Sequence, residues 1–271
     1  MIRAMTTPGY RRTAAFVALA VAAVAGSAHA QDRPFVFSIS PTVAPDRPEL
    51  RFDFDVGAGE STFRSDQSAG PEQRISVEAT DGRFMVIGRV GIATQPAATY
   101  QSWQEGDVLY ALTPSRAPVV IAGGGGVRRE IDGTNVLLAR VAAAYNTTAT
   151  RTNANLSLEH ASAVGRDAMD VELSGGWTRA IGRGVSVGAE GLGEDLEGFW
   201  NPLEAEGGSR LLVGPSIHVA PSGRKWQITS VGGPVFHPDL SGRTTDALRQ
   251  LPATTTRLSY AFTVSFTYSV F

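Results

Sequence analysis

From Leu258 to Val270 the chain alternates without a break. Leu258, Tyr260, Phe262, Val264, Phe266, Tyr268 and Val270 hold one parity, and Ser259, Ala261, Thr263, Ser265, Thr267 and Ser269 hold the other. Successive side chains of a strand point to opposite faces, so this pattern makes one face large and apolar and the other small and polar. The run is longer than most strands of soluble sheets and suits a tilted strand with lipid on one side. The competing reading is a buried edge strand of a soluble β-sandwich.

Repetition separates the two. Glu49 to Val56 alternates in the same way, with Leu50, Phe52, Phe54 and Val56 on one face and Arg51, Asp53 and Asp55 on the other. Further candidate strands run over Gln73–Thr80, Arg83–Ala93, Gln104–Thr113, Ala117–Arg129, Thr134–Asn146, Thr152–Ala161, Asp167–Thr178, Gly184–Gly193, Ser209–Ala220 and Lys225–Phe236. With the first and last, that is about twelve. Short turn-like connections, such as Thr80-Asp81-Gly82-Arg83, alternate with long ones such as Gly57–Glu72 and His237–Ala253. Short turns on one side and longer loops on the other are the arrangement of an outer-membrane barrel. Tyr110, Tyr145, Trp177, Trp226 and Tyr268 fall near the short-turn ends and read as an aromatic girdle.

The N-terminus reads as an export signal. Arg3, Arg11 and Arg12 precede the apolar run Ala14 to Gly26, and Ala28-His29-Ala30 offers small residues for cleavage near Ala30. Residues 1–30 are thus a signal peptide, 31–48 a proline-punctuated periplasmic lead-in in which Phe35 to Ile39 could pair weakly, and 49–271 the barrel. The absence of cysteine excludes a lipoprotein, a disulfide and a thiolate metal site. A net charge of -2 argues against a nucleic-acid partner.

The aromatic-rich final strand, with Phe262, Phe266, Tyr268 and the terminal Phe271, resembles the C-terminal strand of Gram-negative outer-membrane β-barrels. That resemblance implies a closed, antiparallel, up-and-down, all-β transmembrane barrel, Phe262, Phe266, Tyr268 and Phe271 being its assembly signal. It also implies the barrel assembly machinery, outer-membrane lipid and lipopolysaccharide as partners. Gly188-Ala189-Glu190, Glu194 to Trp200, Glu204 to Gly208 and Val213-Gly214-Pro215 look like a group of small outer-membrane barrels of uncharacterised activity, over roughly the C-terminal third.

Chemistry is sought on the inward parity. Arg51, Asp53, Asp55, Glu78, Arg89, Asp107, Arg140, Glu159, Asp170, Glu172, Glu190 and Arg210 are expected to line the lumen. If hairpins pair Glu159 with Asp170 and Glu172 with Glu190, like charges lie opposite and form either an ion-paired interior or a cation-selecting constriction. His160-Ala161-Ser162, on the outward parity, resembles the His-x-Ser of outer-membrane lipid hydrolases, which implies a base at His160 and a nucleophile at Ser162; Ala163 follows where those enzymes carry Asn. The loop holding Glu194, Asp195, Glu197, Glu204 and Glu206 is rich enough in oxygen to bind a divalent cation, or is simply a solvated acidic loop. Gly123-Gly124-Gly125-Gly126 lacks the following Lys-Ser/Thr of a phosphate loop, reads as a strand segment that lets a bulky neighbour approach, and no cofactor is expected. The function expected is a narrow passive channel or solute-binding pore for a small solute or cation. The alternatives are a structural or envelope-interaction barrel and, more distantly, a lipid hydrolase.

Overall fold

The structure is a computed structural model and describes residues 33–41, 44–59, 71–94, 100–114, 117–130, 133–163, 169–199, 209–237 and 258–270. The expected signal peptide, Glu204, Glu206 and Phe271 lie outside the described residues.

The strands are β1 (Ala44–Gly59), β2 (Glu72–Gly82), β3 (Phe84–Thr94), β4 (Tyr100–Ala111), β5 (Val119–Arg129), β6 (Asn135–Asn146), β7 (Thr150–Ala161), β8 (Asp170–Gly182), β9 (Val185–Glu194), β10 (Arg210–Val219), β11 (Trp226–Phe236) and β12 (Leu258–Ser269). Each pairs antiparallel with its chain neighbours, and β1 closes on β12 with Phe54 opposite Phe266 and Asp55 opposite Ser265. Closure leaves no sheet edge, which the backbone requires in lipid. The short turns β2–β3, β6–β7 and β8–β9 gather at one rim, here the turn rim. The opposite end is the loop rim.

The alternation read from the sequence becomes an inside and an outside. Phe54, Ile75, Val86, Val108, Leu137, Leu173, Phe262 and Phe266 are exposed on the outer wall, while Asp53, Asp55, Arg74, Asp107, Glu159 and Thr263 are buried towards the lumen. Apolar outside and charged inside is the inverse of a soluble protein, and it removes the sandwich alternative. Near the turn rim Phe84 and Tyr110 make a tilted ring contact, with centroids 5.0 Å apart and planes at 59°, and Trp226 faces Tyr268 across β11 and β12. Tyr110, Tyr145, Trp177 and Tyr268 of the expected girdle are exposed on the outer wall, and Phe84, which was not among its residues, joins them.

Three differences from the sequence reading bear on the lumen. β1 begins at Ala44 rather than Glu49, because a register shift between those residues carries the pairing with β2 past Pro48. β4 begins at Tyr100, so Trp103 lies on the wall and not in a loop.

The third difference is the largest. Residues 33–41, read as a periplasmic lead-in with a weakly pairing Phe35–Ile39, do not join the sheet; they lie inside the barrel. Phe35 and Val36 are fully buried. Ile39 packs with Met85, Ile87, Leu109 and Ala122, and Val36 packs with Trp103 and Val231. The apolar side chains of this segment therefore make the core of the molecule with the few apolar residues that point inward, each full burial contributing about 1.5–3 kcal/mol.

Candidate functional site: a charged lumen crossed by the N-terminal segment

Two glycines open the space for large side chains in the lumen. A Cβ on Gly176 would stand 2.5 Å from Cδ1 and Cε1 of Phe35, and a Cβ on Gly91 would stand 2.1 Å from Nε1 of Trp103. Only a missing side chain allows such approach.

The backbone of the segment would be left unsatisfied in the middle of a barrel without polar partners from the wall. Glu190 on β9 supplies most of them: its carboxylate accepts the amides of Val36 (3.0 Å), Phe37 (2.6 Å) and Ser38 (3.1 Å). On β7, Asn155 accepts the Ile39 amide and donates to the Ile39 carbonyl at 2.9 Å, and Asn153 donates to Ser40 Oγ at 2.7 Å. Arg74 donates to the Val36 carbonyl at 3.1 Å while its Nε holds Asp55 at 2.7 Å. The other end is tied to β1 and β11. The Arg33 guanidinium pairs with Asp53, its amide donates to Gln227 at 3.0 Å, and its carbonyl accepts from Thr229 at 3.1 Å. Asp53 is fixed in turn by Thr267 at 2.6 Å.

Ion pairs occupy the rest of the lumen. Arg51 pairs with Glu78. Arg140 on β6 holds Glu105 at 3.1 Å and Asp107 at 3.0 Å, and Arg89 on β3 holds the same two carboxylates from the other side. Arg128 on β5 reaches past β6 to Glu159 on β7, and Arg210 pairs with Glu194. A pocket lies among these groups, lined by Arg33, Arg74, Arg89, Arg128 and Arg140, by Glu105, Glu172 and Glu194, and by Phe37, Trp103 and Leu192.

The expected row of facing carboxylates forms only in part. Glu159 does stand opposite Asp170. Glu172, however, stands opposite Ser157, and Glu190 faces Gly176 and Gly214, so Glu172 and Glu190 are not cross-strand partners. The hairpin turn after β8 falls at 182–185 rather than near 179–183, which shifts the register and sets Glu190 against glycines.

Arg33, Arg74, Glu105, Arg128, Asn153 and Asn155 belong to this site and are absent from the expected lining. Parity alone places these strand residues inward: Arg74 stands opposite Asp55, Glu105 lies two positions from Asp107, and Arg128 lies two positions from Gly126, which faces Asp107. Nothing local marks Arg33.

His160 is exposed on the outer wall, with Leu137 directly across on β6, and the Ser162 amide donates to the Asn135 carbonyl at 2.9 Å. Phe262, Phe266 and Tyr268 of the expected assembly signal project from the outer wall. Of Gly123–Gly126, Gly126 lies inward, where a Cβ would meet Asp107 Oδ1 at 2.5 Å, so the glycine run lets the Asp107 carboxylate lie against β5.

At the loop rim, β9 runs into a short 3-10 turn, η1 (Leu196–Phe199). Glu197 Oε2 accepts the Val171 amide at 2.8 Å. Burial, with the Asp195 and Asp170 charges adding to it, pushes the Glu197 carboxyl up to about 7.

A closed antiparallel barrel with an apolar wall and a charged lumen defines the class of outer-membrane β-barrels. Comparison with solved structures agrees. A KdgM porin superimposes with a TM-score of 0.53 at 11% identity, over 80% of this chain and 98% of that one. Outer-membrane expressed OmpT of Vibrio cholerae (TM-score 0.41, 10% identity, 82% and 97%) and a bacterial polysaccharide outer membrane secretin (TM-score 0.41, 7% identity, 83% and 99%) are similar over comparable spans. No protein-family model and no curated protein sequence matches the chain.

Proposed function

We propose that this protein is an outer-membrane channel for small polar or charged solutes, narrowed by its own N-terminal segment. The observation that carries the reading is the pocket among guanidinium and carboxylate groups, to which the N-terminal segment contributes Arg33 and Phe37. A lumen of this kind solvates a charged solute without presenting one uniform sign, since most of its groups are already paired. The porin likeness in fold supports the reading, and the apolar outer wall supports the outer membrane as its location. Export by the signal peptide, cut near Ala30, would start the mature chain two residues before Arg33. Lipopolysaccharide, the assembly machinery and kinship with the small outer-membrane barrels belong to the same proposal.

The second reading, a structural barrel, is favoured by the same segment: a lumen filled by Phe35, Val36 and Ile39 is stabilised at the expense of passage. Planar-bilayer recordings separate them. The channel reading expects a small conductance from the whole protein and a larger one after deletion of residues 33–41. Silence from both proteins, each shown to be folded by heat-modifiable migration, establishes the structural barrel instead.

A further inference from the structure

The two rims of the barrel carry opposite charge. The connections at the turn rim contain Arg83, Arg116, Arg183, Arg224 and Lys225 and no carboxylate, while those at the loop rim hold more carboxylates than arginines. Arg83, Arg179, Arg183 and Arg224 are exposed, and among the described residues no carboxylate pairs with any of them. The lumen differs, since Arg33, Arg74, Arg89 and Arg140 each hold a carboxylate there. Uncompensated positive charge therefore collects at one end of the wall.

The second observation is where these cations stand. Arg83 immediately precedes Phe84, and Lys225 immediately precedes Trp226. Arg179 lies two positions beyond Trp177 towards the turn and on the same outward face, with buried Thr178 between them. Phe84 and Trp177 are exposed on the outer wall, and Trp226 stands opposite exposed Tyr268. The aromatic girdle of a barrel lies at the membrane–water interface, level with the lipid headgroups. A long cationic side chain one or two residues beyond such a ring keeps its stem on apolar surface and carries its charge to the headgroup phosphates.

We propose that the turn rim is a binding surface for phospholipids whose headgroup is net anionic, of the phosphatidylglycerol kind. Guanidinium groups offer paired N–H donors to phosphodiester oxygens, and Arg83, Arg179, Arg183 and Arg224 supply them around the rim. A zwitterionic headgroup brings its own cation beside the phosphate and gains less from the same charges. The acidic loop rim repels anionic headgroups, so the two ends of the barrel prefer different lipid surfaces. An acidic soluble partner would not require the cations to adjoin lipid-facing rings, and this adjacency favours the lipid. The inference depends on the outer wall facing lipid and not on conduction, so a barrel silent in bilayer recordings leaves it intact.

Tryptophan quenching by brominated lipid tests the surface. The folded protein, in a Trp200→Phe background, is placed in phosphatidylcholine vesicles, and quenching of Trp177 and Trp226 by brominated phosphatidylglycerol is compared with quenching by brominated phosphatidylcholine. The anionic lipid should be preferred about fivefold at low ionic strength, and high salt should shrink the preference. Changing Arg83, Arg179, Arg183 and Arg224 together to Gln should bring the ratio near one, while Arg129→Gln at the opposite rim leaves it unchanged. Heat-modifiable migration checks that each variant is folded. If the fourfold variant does not fold, Arg179→Gln alone, beside Trp177, should lower the preference by about twofold. A ratio near one in the parent protein, a preference that high salt leaves intact, or an unchanged ratio in the folded turn-rim variants overturns the proposal.

Discussion

The ring of Phe35 lies against Gly176 so closely that its Cδ1 and Cε1 stand 2.5 Å from where a Cβ would be. A residue near the start of the chain and a glycine in β8 thus define one fitted contact, and the contact makes the placement of the N-terminal segment testable with a single methyl group. Gly176→Ala should force the ring out of its seat, at a cost of about 1–3 kcal/mol for overpacking. Single-channel conductance should rise or become noisier in this variant. A trace indistinguishable from that of the parent protein would show that Phe35 does not rest there.

The segment is also held by charge. Because the chain has no cysteine, Val36→Cys introduces one thiol at a fully buried position, and its maleimide labelling reports release of the segment. Labelling should be slow in an otherwise unchanged protein. Adding Glu190→Gln removes a charged acceptor from three amides, and hydrogen bonds to charged groups contribute about 1.5–3 kcal/mol each. Losing the equivalent of one such bond accelerates labelling by roughly tenfold or more. Equal rates in the two backgrounds would count against Glu190 as the anchor.

Arg140 should be more important to stability than to passage. It holds Glu105 and Asp107 together, and breaking a buried pair by removing one partner costs about 3–5 kcal/mol. Arg140→Gln should lower the urea midpoint of the folded barrel, and Glu105→Gln in the same chain should restore part of the loss. Failure of the second change to recover any stability would mean that the pair is not coupled.

On the outer wall, Phe266→Asp places a charge where the side chain is 43% exposed and faces lipid. A charge on the lipid face is destabilising by up to a few kcal/mol near the midplane, less for Asp than for Arg. Membrane-fraction yield should fall for Phe266→Asp and stay near the parent level for Phe266→Leu. Equal yields for the two would contradict the lipid-facing assignment.

Period-two alternation decided most of the architecture. The strands from β2 to β12 fall within a few residues of where the side-chain pattern puts them, because parity is a local property and a one-residue slip would turn a whole strand inside out. The same parity sends Asp53, Asp55, Asp107, Glu159 and Glu190 inward and Phe262 and Phe266 outward. What parity cannot carry is the partner of each charge. Arg128 reaches Glu159 two strands away, and Glu190 faces glycines instead of Glu172 because the β8–β9 turn sets the register.

The N-terminal segment was hidden for a different reason. Phe35-Val36-Phe37-Ser38-Ile39 reads as a short apolar run with proline before it, equally suited to a weak strand or a lead-in. Its position in the lumen depends on Gly176 in β8, Glu190 in β9 and Asn155 in β7, residues more than a hundred positions later in the chain. The sequence by itself determined that a barrel forms and which face of each strand meets lipid, since both follow from side chains next to one another. Only the tertiary structure decided what fills the barrel, since that requires the closed wall to bring distant polar groups within hydrogen-bonding distance of one segment.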